Sequence, residues 1–221
     1  MAKILITRPK GLSDNLRQKL EYEGHELLEI PFIKTEFIPI DPGLIQEDWI
    51  FFSSKNSVQA CLNSGIDLSK FKLATVGSGT SKALPPNLHI SFQGNTTDIE
   101  AESKRFAVLV GSDSVCFPSS NRSLHSFAKH IQSVKVNVIE AYKTVLQPSG
   151  APMTSVILFS SPSNVEGFLK LNVIMPSQKI IAFGPSTATY LASQGIKAFQ
   201  TLDSTSEDHI FSTIIEAIDS L

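Results

Sequence analysis

Short apolar runs alternate along this chain with stretches whose apolar residues return every three or four positions. The runs predict strands at Lys3–Thr7, Leu27–Ile30, Trp49–Phe52, Leu73–Val76, Ala107–Val110, Val115–Phe117, Val136–Ile139, Val156–Phe159 and Ile180–Phe183. Pro31 closes the second of these. Helical spacing predicts a helix carrying Leu12, Leu16 and Leu20 that Gly24 ends. Further helices are expected around Ser57–Leu62, Ser78–Leu84, Leu124–Ile131, Asn164–Lys170 and Thr187–Ser193. Short strands alternating with helices indicate α/β units with mostly parallel sheets. Several strands are apolar without interruption, as sheets covered on both faces require.

The pattern also repeats. Phe52-Ser53-Ser54-Lys55-Asn56-Ser57-Val58 corresponds to Phe159-Ser160-Ser161-Pro162-Ser163-Asn164-Val165 at an offset of 107 residues. Lys72-Leu73-Ala74-Thr75-Val76-Gly77-Ser78-Gly79-Thr80 corresponds to Lys179-Ile180-Ile181-Ala182-Phe183-Gly184-Pro185-Ser186-Thr187 at the same offset of 107. More loosely, Ile30-Pro31-Phe32-Ile33-Lys34-Thr35 resembles Ile139-Glu140-Ala141-Tyr142-Lys143-Thr144. The chain therefore reads X–Y–X′–Y′, which implies two similar α/β domains. Periodicity leaves two pairings open: X with Y, or X with Y′ around an inserted Y–X′.

Composition narrows the function. The 221 residues suit one large domain or two small ones. Hydrophobic residues make up 42% and charged residues 18%, an ordinary globular balance, and 14 phenylalanines can fill a core. With 19 basic and 21 acidic side chains the formal charge is −2, which argues against an electrostatic nucleic-acid binder. No apolar run approaches the roughly 18–20 residues of a membrane span, and Met1-Ala2-Lys3-Ile4 leads straight into a strand without a signal-peptide pattern. A cytoplasmic protein is expected. Cys61 and Cys116 form no CxxC and read as small buried hydrophobes, while the five histidines lack zinc-ligand spacing. Metal dependence is not expected.

Each repeat carries two strand-to-helix turns. One places Ser53-Ser54 or Ser160-Ser161 where a helix begins; the other ends a strand at Gly77 or Gly184, with Thr80 or Thr187 three residues on. Helix starts present unpaired N–H groups and partial positive charge, which suit anionic oxygens. Glycine permits close approach, and Ser or Thr can cap the helix or donate to a ligand. Simple capping is the alternative for any one turn; four matched turns favour a ligand. They match neither the P-loop nor GxGxxG. Ser53, Ser54, Gly77, Ser78, Thr80, Ser161, Gly184, Pro185, Ser186 and Thr187 are thus candidate binding residues. Arg8, Lys55 and Arg122 are candidate carboxylate partners or solvated surface cations.

The ordered set Ile6-Thr7-Arg8-Pro9, Phe52-Ser53-Ser54-Lys55-Asn56-Ser57-Val58, Val76-Gly77-Ser78-Gly79-Thr80, Ala141-Tyr142-Lys143-Thr144, Phe159-Ser160-Ser161-Pro162-Ser163 and Phe183-Gly184-Pro185-Ser186-Thr187-Ala188 resembles the uroporphyrinogen-III synthase family over essentially the whole chain. The resemblance implies two flavodoxin-like domains with the middle one inserted in the first: 1–34 with 147–221, and 40–138, joined by a two-stranded linker at 35–39 and 139–146. It implies a flexible hinge there. The chain departs from the family at Pro118-Ser119-Ser120-Asn121-Arg122, which lacks a glycine, and at Leu84-Pro85-Pro86-Asn87.

The implied substrate is hydroxymethylbilane, a linear tetrapyrrole with eight carboxylates, cyclised with loss of water and inversion of the terminal pyrrole to uroporphyrinogen III. Helix starts would let a slightly acidic chain bind such a polyanion. Tyr142, facing the cleft by resemblance, would donate the proton that water loss needs, since a phenol ordinarily ionises only near pH 10. Its other reading is a linker tyrosine packing between domains. Tyr22 and Tyr190 read as packing residues. A monomer is expected. The rival reading is a non-catalytic two-domain clamp that binds an anionic small molecule.

Overall fold

The computed structural model describes residues 1–8, 14–95, 98–122, 126–131, 134–202 and 206–221. Leu12, Pro9 and Leu124, named in the sequence reading, lie outside them. In chain order the elements are β1 (Lys3–Ile6), α1 (Asp14–Tyr22), β2 (Glu26–Glu29), β3 (Ile33–Phe37), β4 (Trp49–Phe52), α2 (Lys55–Asn63), β5 (Lys72–Thr75) and α3 (Ser78–Ser81). There follow β6 (Ile90–Gln93), α4 (Ile99–Val110), β7 (Ser114–Ser120), α5 (Ser126–Lys129), β8 (Lys135–Leu146), β9 (Val156–Phe159) and α6 (Pro162–Leu169). The chain ends with β10 (Lys179–Phe183), α7 (Pro185–Ser193), β11 (Gln200–Leu202) and α8 (Glu207–Asp219).

Contacts divide the chain into two compact units, Met1–Lys34 with Val145–Leu221, and Thr35–Thr144. In the first unit, five strands lie in the order β11-β10-β9-β1-β2, all neighbours parallel. β9 reads VILF with every residue buried, because helices cover both faces. On one face, Ile4, Ile6, Leu158 and Ile181 pack against Leu16 and Leu20 of α1 and Ile210 and Ile214 of α8. On the other, Leu5, Ile157, Phe159 and Ala182 meet Val165 and Phe168 of α6 and Leu191 of α7. Alternation along each strand sends neighbours to opposite layers.

The second unit holds the order β3-β8-β7-β4-β5-β6. Five of these strands, β8-β7-β4-β5-β6, repeat the order of β2-β1-β9-β10-β11 with the chain entering at the third strand. Ile50, Phe52, Leu73 and Cys116 face α2 through Val58 and Cys61. The opposite layer is built on phenylalanine: the Phe51 ring centroid lies 4.1 Å from that of Phe127 and 4.9 Å from that of Phe117, both tilted, and 5.1 Å from that of Phe106, which it meets edge-on. β3 lies beside β8, where the Ile38 N–H donates to the Ala141 carbonyl (3.0 Å) and the Gln147 N–H to the Phe32 carbonyl (2.8 Å). That pattern makes this pair antiparallel.

The mixed α/β class with mostly parallel sheets is as the sequence indicates; several elements differ. Ala107–Val110 is not a strand but the last turn of α4. Asp98 caps α4 by accepting from the Ala101 N–H (2.9 Å), and Ser103, Phe106 and Val110 are buried at helical spacing. Val108 is 85% exposed and Leu109 52%, which a doubly covered strand would not allow. The helix expected over Ser78–Leu84 stops at Ser81, before Pro85-Pro86. Val136–Ile139 and the following linker are one continuous strand, β8. β6, β11 and α8 are additional elements.

Candidate functional site

In parallel sheets of this kind, ligands bind at the carboxyl ends of strands. The repeated turns lie there. Ser54 and Ser161 cap α2 and α6 with nearly the same backbone, φ −157° and −167°. The Ser57 N–H donates to Ser54 Oγ (3.1 Å) and the Asn164 N–H to Ser161 Oγ (3.3 Å). Capping is therefore a real role of both serines. Their remaining partners differ. Asn164 Nδ2 donates to Ser161 Oγ (3.0 Å) and to Ser160 Oγ (3.1 Å), while its Oδ1 accepts from the Phe32 N–H (3.1 Å). Ser54 Oγ instead lies 2.8 Å from the Tyr142 hydroxyl.

Tyr142 sits on β8, paired in register with Ser120 just beyond a bulge that leaves Ala141 of β8 without a β7 partner, and is only 8% exposed. Its ring centroid is 6.5 Å from that of Phe37. The atypical segment after β7 holds this strand: the Asn121 N–H donates to the Tyr142 carbonyl (3.3 Å), and Asn121 Oδ1 accepts from the Thr144 N–H (3.0 Å). Asn121 was not singled out from sequence. Arg122 is exposed, with its N–H on Ser120 Oγ (3.1 Å). Ser53 and Lys55 are exposed at the start of α2.

The glycine turns differ more. Gly184 has φ +82°, a conformation that favours glycine, and it opens a nine-residue helix with no capping side chain. Ser186 and Pro185 are exposed there. Thr187 is buried, and its hydroxyl donates to the Phe183 carbonyl (2.8 Å), so that hydrogen is engaged inside the fold. Gly77 is extended, at φ 176°, and opens only the four residues of α3. Thr80 is buried and Ser78 exposed. Ser81 fills the turn, its Oγ lying 2.7 Å from both Thr75 Oγ1 and Gln93 Oε1.

Arg8 follows β1 in the first unit. Its guanidinium carbon lies 5.2 Å from the centroid of the Phe183 ring, next to the Gly184 turn. Nε is buried without a hydrogen-bond partner. Burial holds this guanidinium below its ordinary pKa, opposed by the carboxylate of Glu29, which itself pairs with Arg17. Arginine stays charged under such a shift. A half-buried cation with an unsatisfied donor beside an uncapped helix start is suited to a carboxylate.

The thiols have other work. Cys61 and Cys116 are buried and unpaired; burial pushes Cys61 up to about 12 and Cys116 higher still. They pack in the core. Among the described residues no three His, Cys, Asp or Glu side chains converge as a metal site, and no helix is long and apolar enough to cross a membrane.

A family model described as uroporphyrinogen-III synthase HemD matches residues 14–212. The chain belongs to the uroporphyrinogen-III synthase family. A porphyrin biosynthesis protein HemD from Ruminiclostridium josui is 44% identical over 96 residues, covering 37% of this chain and 19% of that protein. The chain thus matches about a fifth of that relative's length. The crystal structure of the Helicobacter pylori uroporphyrinogen-III synthetase is similar in fold, with TM-score 0.76 at 16% identity over 98% of this chain and 99% of that one. A mutant synthase structure from Thermus thermophilus gives TM-score 0.66 at 16% identity over the full length of both. In this synthase-family chain, Asn164, Ser57 and Asn121 are the site-supporting residues that motif reading passed over. Asn164 and Ser57 stand three residues after a capping serine, a spacing that capping rules single out.

Proposed function

We propose that this chain is a uroporphyrinogen-III synthase, cyclising hydroxymethylbilane with loss of water and inversion of the terminal pyrrole to uroporphyrinogen III. Family membership sets the reaction class, a cyclising hydro-lyase of tetrapyrrole biosynthesis. The observation that carries the reading is Arg8, a charged and half-buried donor beside the uncapped start of α7. It supplies local attraction for a carboxylate in a chain of net charge −2. Gly184, Ser186 and the first N–H groups of α7 complete this anchor. Ser161 in the first unit, and Ser53, Lys55, Ser78 and Arg122 in the second, follow strand ends and are proposed as further contacts.

Tyr142 donates a proton to the leaving hydroxyl, which departs as water. Ring closure later releases a proton that restores the phenol, so the cycle needs no cofactor. Rate enhancement then comes from holding a reactive substrate in the conformer that closes correctly. The shared strand order of the two units supports a pair of flavodoxin-like domains, the second inserted into the first, with β3 and β8 as the connecting strands. We place the enzyme in the cytoplasm as a monomer.

The test is incubation with freshly made hydroxymethylbilane and separation of the product isomers. Isomer III above the spontaneous background supports the synthase. Isomer I alone, with the substrate bound, supports the non-catalytic clamp.

A further inference from the structure

Around Ser54 every polar atom of the cap but one has a well-placed partner. The Ser57 N–H donates to Ser54 Oγ (3.1 Å), the Ser54 N–H to Ser57 Oγ (3.2 Å), and the Ser57 hydroxyl to the Ser54 carbonyl (2.6 Å). What remains is the hydrogen of the Ser54 hydroxyl. Two acceptors lie in reach, Tyr142 Oη at 2.8 Å and Ser57 Oγ at 3.5 Å. Hydroxyl–hydroxyl bonds ordinarily span about 2.5–3.0 Å, so the tyrosine oxygen is the better acceptor. If the phenol donated instead, the serine hydrogen would keep only the 3.5 Å contact.

We propose that Ser54 is a positioning residue: its hydroxyl donates to Tyr142 Oη and so leaves the single phenol hydrogen turned away from the cap, available to the substrate. The inference rests on the reading of Tyr142 as the proton donor. Accepting a hydrogen bond also polarises the phenol and stabilises the charge left on its oxygen as the proton departs. The ring itself is held by burial and by Phe37. The first unit supplies an internal contrast. There the matching serine, Ser161, has Asn164 donating to its oxygen from both backbone and side chain, and no phenol is attached. The same cap thus meets an amide of its own helix in one unit and a phenol from a neighbouring strand in the other.

Four single variants and one double variant test this with hydroxymethylbilane as substrate: Ser54→Ala, Ser54→Thr, Ser54→Asp, Tyr142→Phe, and Ser54→Ala combined with Tyr142→Phe. Saturating kcat, KM, thermal stability and the ¹³Cζ resonance of Tyr142 are read; the chain has only three tyrosines, so the signals are assignable. Ser54→Ala should lower kcat about 10-fold, the worth of one hydrogen bond, and shift the Tyr142 resonance. Ser54→Thr should restore both. Ser54→Asp keeps a cap acceptor but cannot donate, so it should stay as stable as the parent and still be slow at saturation. In the Tyr142→Phe background, Ser54→Ala should cost no further kcat. Loss of stability alone in Ser54→Ala, with kcat and the Tyr142 resonance unchanged, would overturn the positioning role while leaving a slow Tyr142→Phe to stand for the donor. Normal turnover of Tyr142→Phe would remove both.

Discussion

The two units carry the same turns and use them differently. In the first unit the glycine turn is open: Gly184 sits at φ +82°, α7 runs for nine residues, no side chain caps it, and Arg8 lies over Phe183 beside it. In the second unit the matching turn is closed by its own side chains, with Ser81 bridging Thr75 and Gln93 over a helix of four residues. The serine turns reverse the contrast. Ser161 Oγ accepts twice from Asn164, whereas Ser54 reaches Tyr142, whose loose counterpart in the repeat is Ile33. Duplicated motifs thus give one unit suited to anchoring an anion and another suited to handling a proton. Identity of motif did not mean identity of role.

The largest expected effect breaks the second unit's side of this division. Tyr142→Phe keeps the ring and should lower turnover by about 10²–10⁴-fold with folding nearly unchanged. Near-normal turnover in stopped assays would return Tyr142 to a packing role. On the first unit's side, Arg8→Met keeps the stem over Phe183 but removes charge and donors. It should weaken substrate binding by about 1.5–3 kcal/mol, with kcat far less affected. Because the guanidinium is half-buried with an unmet Nε, thermal stability should hold or rise. Lower stability with unchanged KM would make Arg8 structural.

Smaller effects sharpen the contrast in packing. Gly167 of α6 corresponds to Ala60 of α2, yet a Cβ at Gly167 would run into the backbone carbonyl of Phe32. Gly167→Ala should cost about 1–3 kcal/mol in denaturant unfolding, an overpacking penalty. Thr187→Val should cost about 1 kcal/mol of stability and leave substrate affinity alone, since its hydroxyl already serves Phe183. A loss of affinity in that variant would restore a direct contact. The buried thiols set the smallest effect. Folding holds Cys61 and Cys116 neutral, while unfolded thiols ionise near pH 8.5. Their contribution is full below about pH 8.5 and is lost as pH climbs toward 12, so unfolding free energy should fall between pH 7.5 and 10. Cys61→Ala with Cys116→Ala should flatten that slope; an unchanged slope would assign it to other groups.

Much of this was legible in the chain because parallel strands buried on both faces write themselves as unbroken apolar runs. WIFF and VILF needed no alternation to be recognised, and their flanking Phe-Ser-Ser turns marked helix starts. The same rule misread Ala107–Val110, where four apolar letters end an amphipathic helix whose buried positions begin further back at Ser103. β6 and β11 are short edge strands with polar residues, and carry little periodic signal. At the turns, sequence placed the helix starts but not the partners of their side chains. That Thr187 bonds backward to Phe183, or that Ser54 meets a tyrosine 88 positions away, depends on rotamers and register rather than on motif. Arg8 read either as a carboxylate partner or as a surface cation; packing against Phe183 with its Nε unmet favours the first.

The central claim is that anchoring steers closure while Tyr142 supplies the proton, and one measurement separates them. Tyr142→Phe, in excess over hydroxymethylbilane, is allowed a single turnover and its product isomers are resolved. The account predicts a slow reaction that still yields mainly isomer III, because the anchor in the first unit is intact. A product that is mainly isomer I under the same conditions, with substrate bound, would contradict it by showing that the phenol itself sets the direction of ring closure.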